Sequence, residues 1–244
     1  MIRVDGVAKQ YGQEVVFDAL DLGVQDGEFL CLLGPSGCGK TTLLHMIAGL
    51  ESPTDGRIVV DGQTVDGPHY KRGVVFQEPR LYPWLNVFDN VAIGPRLRGV
   101  DPDEERIHEL LTLVGLEDAA EVRPNNLSGG MAQRASLART LANDPEALLL
   151  DEPFSALDEM TKMRLQDELL RIVSELSLTT VFVTHDIEEA VYLGDRVVVL
   201  GTNQGEITGI IDTSDAKRSR ADEASLEIRQ SLFELLEDDI EGHR

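Results

Sequence analysis

Six short apolar runs rich in β-branched residues punctuate the chain: EFLCLLG (28–34), RIVVDG (57–62), RGVVFQ (72–77), ALLLDEP (147–153), TTVFVTH (179–185) and DRVVVLG (195–201). Such runs predict a buried sheet with helical cover. Apolar positions recur instead at helical spacing in KTTLLHMIAGL (40–50), DEERIHELLTLVGL (103–116), the segment after Ser128, and EMTKMRLQDELLRIVSEL (159–176). From about residue 85 to 145 no strand-like run occurs, so a helical subdomain is expected inside an α/β core. The first 25 residues, with short alternating runs, predict a small antiparallel addition. After about residue 213 the polar stretch DTSDAKRSRADEAS leads into LEIRQSLFELLEDDIE, which sets Leu226, Phe233, Leu236 and Ile240 on one helical stripe. A helix packed on its own domain or on a second copy is expected there. The division is therefore one domain over residues 1–213 and a short helical tail over 214–244.

Composition narrows the function. A chain of 244 residues buries a core without metal or disulfide staples. Its 44 acidic against 22 basic side chains, a net charge of -22, disfavour general binding to nucleic acid or anionic membranes. Cys31 and Cys38 are too close in sequence to suggest a bridged framework, and reduced cytosol is the default. No apolar stretch approaches the roughly 18 residues of a spanning helix. A cytoplasmic placement follows as an expectation, with any membrane part supplied by another chain.

GPSGCGKTT, from Gly34, follows the strand EFLCLL directly and runs into a helix. It matches G-x-x-x-x-G-K-[ST]. Glycines let successive N–H groups surround phosphate oxygens, Lys40 reaches the β- and γ-phosphates, and Thr41 places a hydroxyl on Mg²⁺. ALLLDEP ends a second apolar strand in two carboxylates: Asp151 suits the Mg²⁺ shell, and Glu152 suits a general base for water. LSGGMAQRASLART opens a further helix with a serine and two glycines, a second start fit for an anion, although Ser128 taken alone reads better as a helix cap.

In this order and spacing, over roughly residues 1–212, the motifs resemble the nucleotide-binding subunit of an ATP-binding cassette (ABC) transporter. LSGGMAQR is similar to that family's signature motif, FSALD (154–158) to its D-loop, Gln77 to its Q-loop glutamine and His185 to its switch histidine. The signature departs at Met131, where glutamine is usual, with Gln133 two places on. The resemblance implies a P-loop NTPase core of α/β class with an inserted helical subdomain and a small N-terminal antiparallel β subdomain, using ATP and Mg²⁺.

It also implies roles for individual residues. Tyr11 would stack on adenine, and Gly34, Pro35, Ser36, Gly37, Cys38, Gly39, Lys40, Thr41 and Thr42 would hold the phosphates. Thr41, Gln77 and Asp151 would serve Mg²⁺, the last through water. Glu152, His185, Gln77 and Lys40 form the catalytic set, with Glu152 on the attacking water and His185 on the γ-phosphate. Asp158 would couple two sites across a dimer, and Ser128, Gly129 and Gly130 would complete the site of a second copy in trans.

Glu78, Pro79, Arg80, Pro83 and Trp84, followed by NVFDNV, are similar to importer ATPases of the nitrate, sulfonate and taurine group. In that group the region receives a short cytoplasmic helix of the permease; the competing reading of Trp84 is an apolar patch closing the helical subdomain's own core. The implied partners are a second copy, transmembrane permease subunits and, indirectly, an extracytoplasmic substrate-binding protein, with no nucleic acid. A soluble ABC ATPase outside transport, or a transporter ATPase for another substrate, is the alternative. Cys38, among the N–H groups of the phosphate loop, is expected to carry a lowered thiol pKa, so that alkylation inhibits turnover and MgATP protects.

Overall fold

A computed structural model describes residues 1–216, 219 and 222–241, the side chains of 238–241 excepted. The chain divides into two compact units, Met1–Pro68 with Leu178–Arg244, and His69–Ser177. The first unit opens with β1 (Ile2–Tyr11) and β2 (Glu14–Val24), an antiparallel hairpin turning at Gly12 with its positive φ of 62°. Next come β3 (Phe29–Leu33), α1 (Lys40–Ala48), β4 (Asp55–Val60) and the two-residue β5 (Gln63–Thr64). An antiparallel sheet runs in the order β2-β1-β4-β5.

RIVVDG thus joins the antiparallel sheet rather than a helix-covered one, and that sheet extends well past the first 25 residues. In β4 the polar residues through Arg57 are exposed while Ile58 and Val60 are buried. Only one face is covered, the habit of an antiparallel sheet, whereas β3 is buried at every position.

The second unit holds β6 (Arg72–Val75), α2 (Val87–Leu97), α3 (Glu104–Leu113), α4 (Gly129–Leu141), β7 (Ala147–Asp151) and α5 (Glu159–Leu176). β6 and β7 pair in parallel, Val75 opposite Leu150. Each long helix starts on a short polar cap whose side chain accepts a backbone N–H: Asn86 for α2, Asp103 for α3, Ser128 for α4 and Asp158 for α5. α2 lies outside the helices expected from periodicity, although its Asn86 cap is a readable start. It packs on α4, and its fully buried Asn90 bonds both the N–H and the carbonyl of Tyr82, which orders the preceding loop.

The chain then returns to the first unit with β8 (Thr179–Thr184), α6 (Ile187–Leu193), β9 (Arg196–Leu200), β10 (Ile207–Asp212) and α7 (Glu223–Glu241). β3 runs parallel between β8 and β9, with β10 antiparallel outside β9. Phe29 and Phe182 meet across β3 and β8 at 5.9 Å between ring centroids. α6 and β10 escape the period-based reading because both are short.

α7 packs on α6 and β10, but with a different face from the stripe expected. Leu232 and Ser225 are buried, and Gly209 of β10 leaves room for Leu235, whose methyl group lies 2.5 Å from where a Cβ would stand. Leu226 and Phe233 are 57% and 52% exposed. The buried register lies one residue earlier than the expected stripe, with Ile228, Leu232 and Leu235 on the packed face and Arg229 bonding Glu188 of α6 at 3.3 Å beside them. The side chain of Ile240 lies outside the described residues.

Candidate functional site

In the first unit the loop from Gly34 to Gly39 joins the end of β3 to α1. A Cβ on Gly34 would lie 2.4 Å from the carbonyl oxygen of Leu200. Gly39 has φ of +101° and would put a Cβ 2.6 Å from the Phe17 ring. Only glycine lets the backbone pass at these two points. Ser36 and Gly37 are exposed at the loop's tip, Pro35 is half-buried, and Thr41 and Thr42 begin α1. That helix has no side-chain cap and no acid in its first turn, so the positive end of its dipole is left uncompensated by its own side chains.

The Lys40 ammonium, 5% exposed, lies 2.8 Å from the carbonyl oxygens of both Gly34 and Pro35 and 3.7 Å from Cys38 Sγ. No carboxylate is among its partners in the described residues. A buried cation with only neutral partners, beside an uncapped helix start, suits an oxyanion such as a phosphate.

Cys38 departs from its expected reactivity. It is 3% exposed, and burial pushes its thiol up from the ordinary value, outweighing the opposing charge of Lys40. Tyr11, at the end of β1, is 46% exposed and brought to α1 by a side-chain hydrogen bond with Thr42. Its hydroxyl also donates to Glu51, and Lys9 Nζ lies 4.7 Å from the ring centroid. Burial and the bond to Glu51 push the Tyr11 phenol up. Exposed His185 follows β8 between two pinned neighbours. Thr184 Oγ1 donates to Glu189 at 2.6 Å, and Asp186 caps α6 by accepting from Glu188 N at 2.8 Å.

The second unit carries the carboxylates. Asp151 ends β7, and Glu152 follows at φ +43°, a left-handed conformation sparse for a residue with a Cβ. Ser155 donates twice to the Glu152 carbonyl, through its N–H at 3.3 Å and its hydroxyl at 3.1 Å. The hydroxyl's single proton is thereby committed, so Gln77 must present its amide nitrogen to Ser155 Oγ, at 3.0 Å. The Gln77 amide oxygen is left to face another partner. Within this unit Gln77 and Asp151 offer amide and carboxylate oxygens, donors that suit a hard divalent cation such as Mg²⁺.

α4 is fastened to the segment around Gln77. Gln133 Nε2 donates to the Phe76 carbonyl at 3.1 Å, Thr140 Oγ1 to that of Val74 at 3.3 Å, and the Arg139 guanidinium to those of Pro79 and Arg80 at 2.8 and 2.7 Å. At its start the Ser128 hydroxyl accepts from Met131 N at 3.3 Å, so the cap reading of Ser128 holds. Gly129 is exposed, while Gly130 is buried where a Cβ would lie 2.8 Å from Thr161. Asp158 caps α5 through the N–H of Thr161, and its bonds from the Thr161 side chain and backbone hold its carboxyl below the usual range. Trp84 is 67% exposed, beside Tyr82 at 5.4 Å between ring centroids, so it does not close the helical core. Ser155, Gln133 and Arg139 carry bonds that motif reading assigned to no one, although Ser155 stands inside the quoted FSALD.

The family model described as ABC transporter matches residues 17–155. An uncharacterized ABC transporter ATP-binding protein of Methanocaldococcus jannaschii is 48% identical over 247 residues, covering 98% of this chain and 92% of that protein. The aliphatic sulfonates import ATP-binding protein SsuB 2 of Burkholderia cenocepacia is 46% identical, covering 94% and 84%. Among solved structures, a dimeric ATP-binding cassette in a post-hydrolysis state bound to ADP and Pi aligns with a TM-score of 0.75 and 32% identity, covering 87% of this chain and 99% of that one. The cbiO1 protein of Clostridium perfringens, part of the cbiONQ transporter complex, aligns with a TM-score of 0.79 and 26% identity, covering 88% and 89%.

Proposed function

The chain belongs to the ABC transporter family of ATP-hydrolysing subunits, and from that premise we propose that it powers import of a small anion of the sulfonate, taurine or nitrate type through a separate permease. The buried Lys40 ammonium beside the uncapped start of α1 carries the nucleotide part of this reading, since among the described residues its partners are neutral and a phosphate chain would supply the counter-charge. Relatives named as aliphatic sulfonates import ATP-binding proteins support the importer part. Among the described residues no helix is long and apolar enough to cross a membrane. Membrane association therefore falls to a partner, and the exposed Trp84 and Tyr82 offer an apolar surface for it.

The roles follow from residue chemistry. The loop 34–42 holds the phosphates with its N–H groups and Lys40, and Tyr11 offers its exposed ring to adenine. Thr41, Gln77 and Asp151 would hold Mg²⁺, the last through water, and the cation would supply positive charge to offset that of the phosphate chain. Glu152 accepts the proton of the attacking water, and His185 donates to the terminal phosphate. Ser128, Gly129 and Gly130 act on nucleotide bound to a second copy, with Asp158 at the junction; dimeric neighbours support that arrangement. Residues 1–213 serve as the ATP-binding domain and 214–244 as a helical accessory.

Glu152→Gln tests the reading. The variant is expected to bind ATP and gather as a nucleotide-held dimer on size-exclusion chromatography, while phosphate release falls at least ~100-fold. Turnover at the parent rate removes Glu152 from the base role.

A further inference from the structure

Ser155 is the only polar side chain in the stretch Pro153–Leu157, and it bonds the two residues on which the proposed chemistry turns. Its hydroxyl gives its proton to the Glu152 carbonyl and takes one from the Gln77 amide, joining residues 78 apart in sequence. Both ends of that bridge need a holder. Glu152 keeps a left-handed backbone, which persists only where neighbours over-determine it, and two donors from one residue fix its carbonyl. Gln77 sits on a backbone clamped on both sides, at Phe76 by Gln133 and at Pro79 and Arg80 by Arg139. The backbone there is held, so its side-chain torsions are the freedom left to Gln77.

We propose that Ser155 is a positioning residue for hydrolysis: its hydroxyl parks the Gln77 amide and braces the Glu152 turn, so release of Gln77 and adjustment of Glu152 occur as one event. Gln77 cannot turn its nitrogen away without removing the N–H donor from the hydroxyl that braces Glu152. Arrival of the γ-phosphate is thereby transmitted to the base through one hydroxyl. The inference rests on the base and sensor roles given above to Glu152 and Gln77.

The test measures steady-state ATP hydrolysis by the full chain. Ser155→Ala is expected to lower kcat about tenfold, the scale of one lost hydrogen bond, with KM for ATP within about twofold. Ser155→Thr, which keeps the hydroxyl, restores at least about half of the parent kcat. Because Gln77 and Glu152 are coupled through one hydroxyl, the double variant Gln77→Ala/Ser155→Ala loses at least about threefold less than the product of the two single losses. Parent kcat in Ser155→Ala, absence of rescue by threonine, or multiplied losses in the double variant each overturn the proposal when Glu152→Gln is slow. Parent turnover by Glu152→Gln overturns instead the base reading on which it stands.

Discussion

Cys38 and Lys40 sit two residues apart in one loop and respond oppositely to burial. The ammonium finds carbonyl oxygens at 2.8 Å, whereas the thiol finds a desolvated wall that disfavours its thiolate more than the nearby cation favours it. Proximity to N–H groups read from sequence counts the attraction but not the desolvation. Cys31, in β3, is fully buried as well. A maleimide at neutral pH should therefore modify the native chain at least ~10-fold more slowly than the chain unfolded in guanidinium, followed by mass spectrometry. A fast native phase abolished by MgATP would restore an activated Cys38. Single residues show the same division elsewhere: the Asn86, Asp103, Ser128 and Asp158 caps are legible because cap and N–H are neighbours in sequence. The Gln77–Ser155 bond is not, because nothing local brings position 77 to position 155.

Among the elements, α4 carries the most consequence. Its N-terminus bears the LSGG stretch, and Gln133, Arg139 and Thr140 along it hold the carbonyls of residues 74 to 80. Two segments far apart in sequence are thus fastened together. Gln133→Leu, near in volume, leaves the Phe76 carbonyl without that donor, and about 1–3 kcal/mol of stability should be lost in urea unfolding. The same variant should lower ATP turnover more than it lowers ATP affinity, because the segment that carries Gln77 loses one of its clamps. Unchanged stability and turnover would show that α4 and the Gln77 segment are held by other contacts. α7 teaches the converse: periodicity finds the helix, but the face that carries Ile228, Leu232 and Leu235 is the packed one, while Leu226 and Phe233 stay exposed.

At the scale of the whole molecule, a net charge of -22 means that two copies repel before any contact forms. Bound nucleotide and cation must offset that repulsion. For Glu152→Gln with ATP, raising monovalent salt from ~0.01 to ~0.15 M shortens the screening length from about 30 to 8 Å, so dimer affinity should rise in sedimentation velocity runs. Weakening with salt would mean that contacts between opposite charges dominate the dimer. What the sequence determined by itself is whatever depends on neighbours along the chain: the glycine loop between strand and helix, the buried runs of β3, β7 and β8, the helix caps, and the motif order that marks the family. The tertiary structure alone decided that residues 57–62 join the antiparallel sheet, which face of α7 is buried, that the Cys38 thiol is desolvated, and that Ser155 ties Gln77 to Glu152. Each of these turns on contacts between distant positions, where burial and hydrogen-bond geometry are set by packing and leave no periodic trace in the chain.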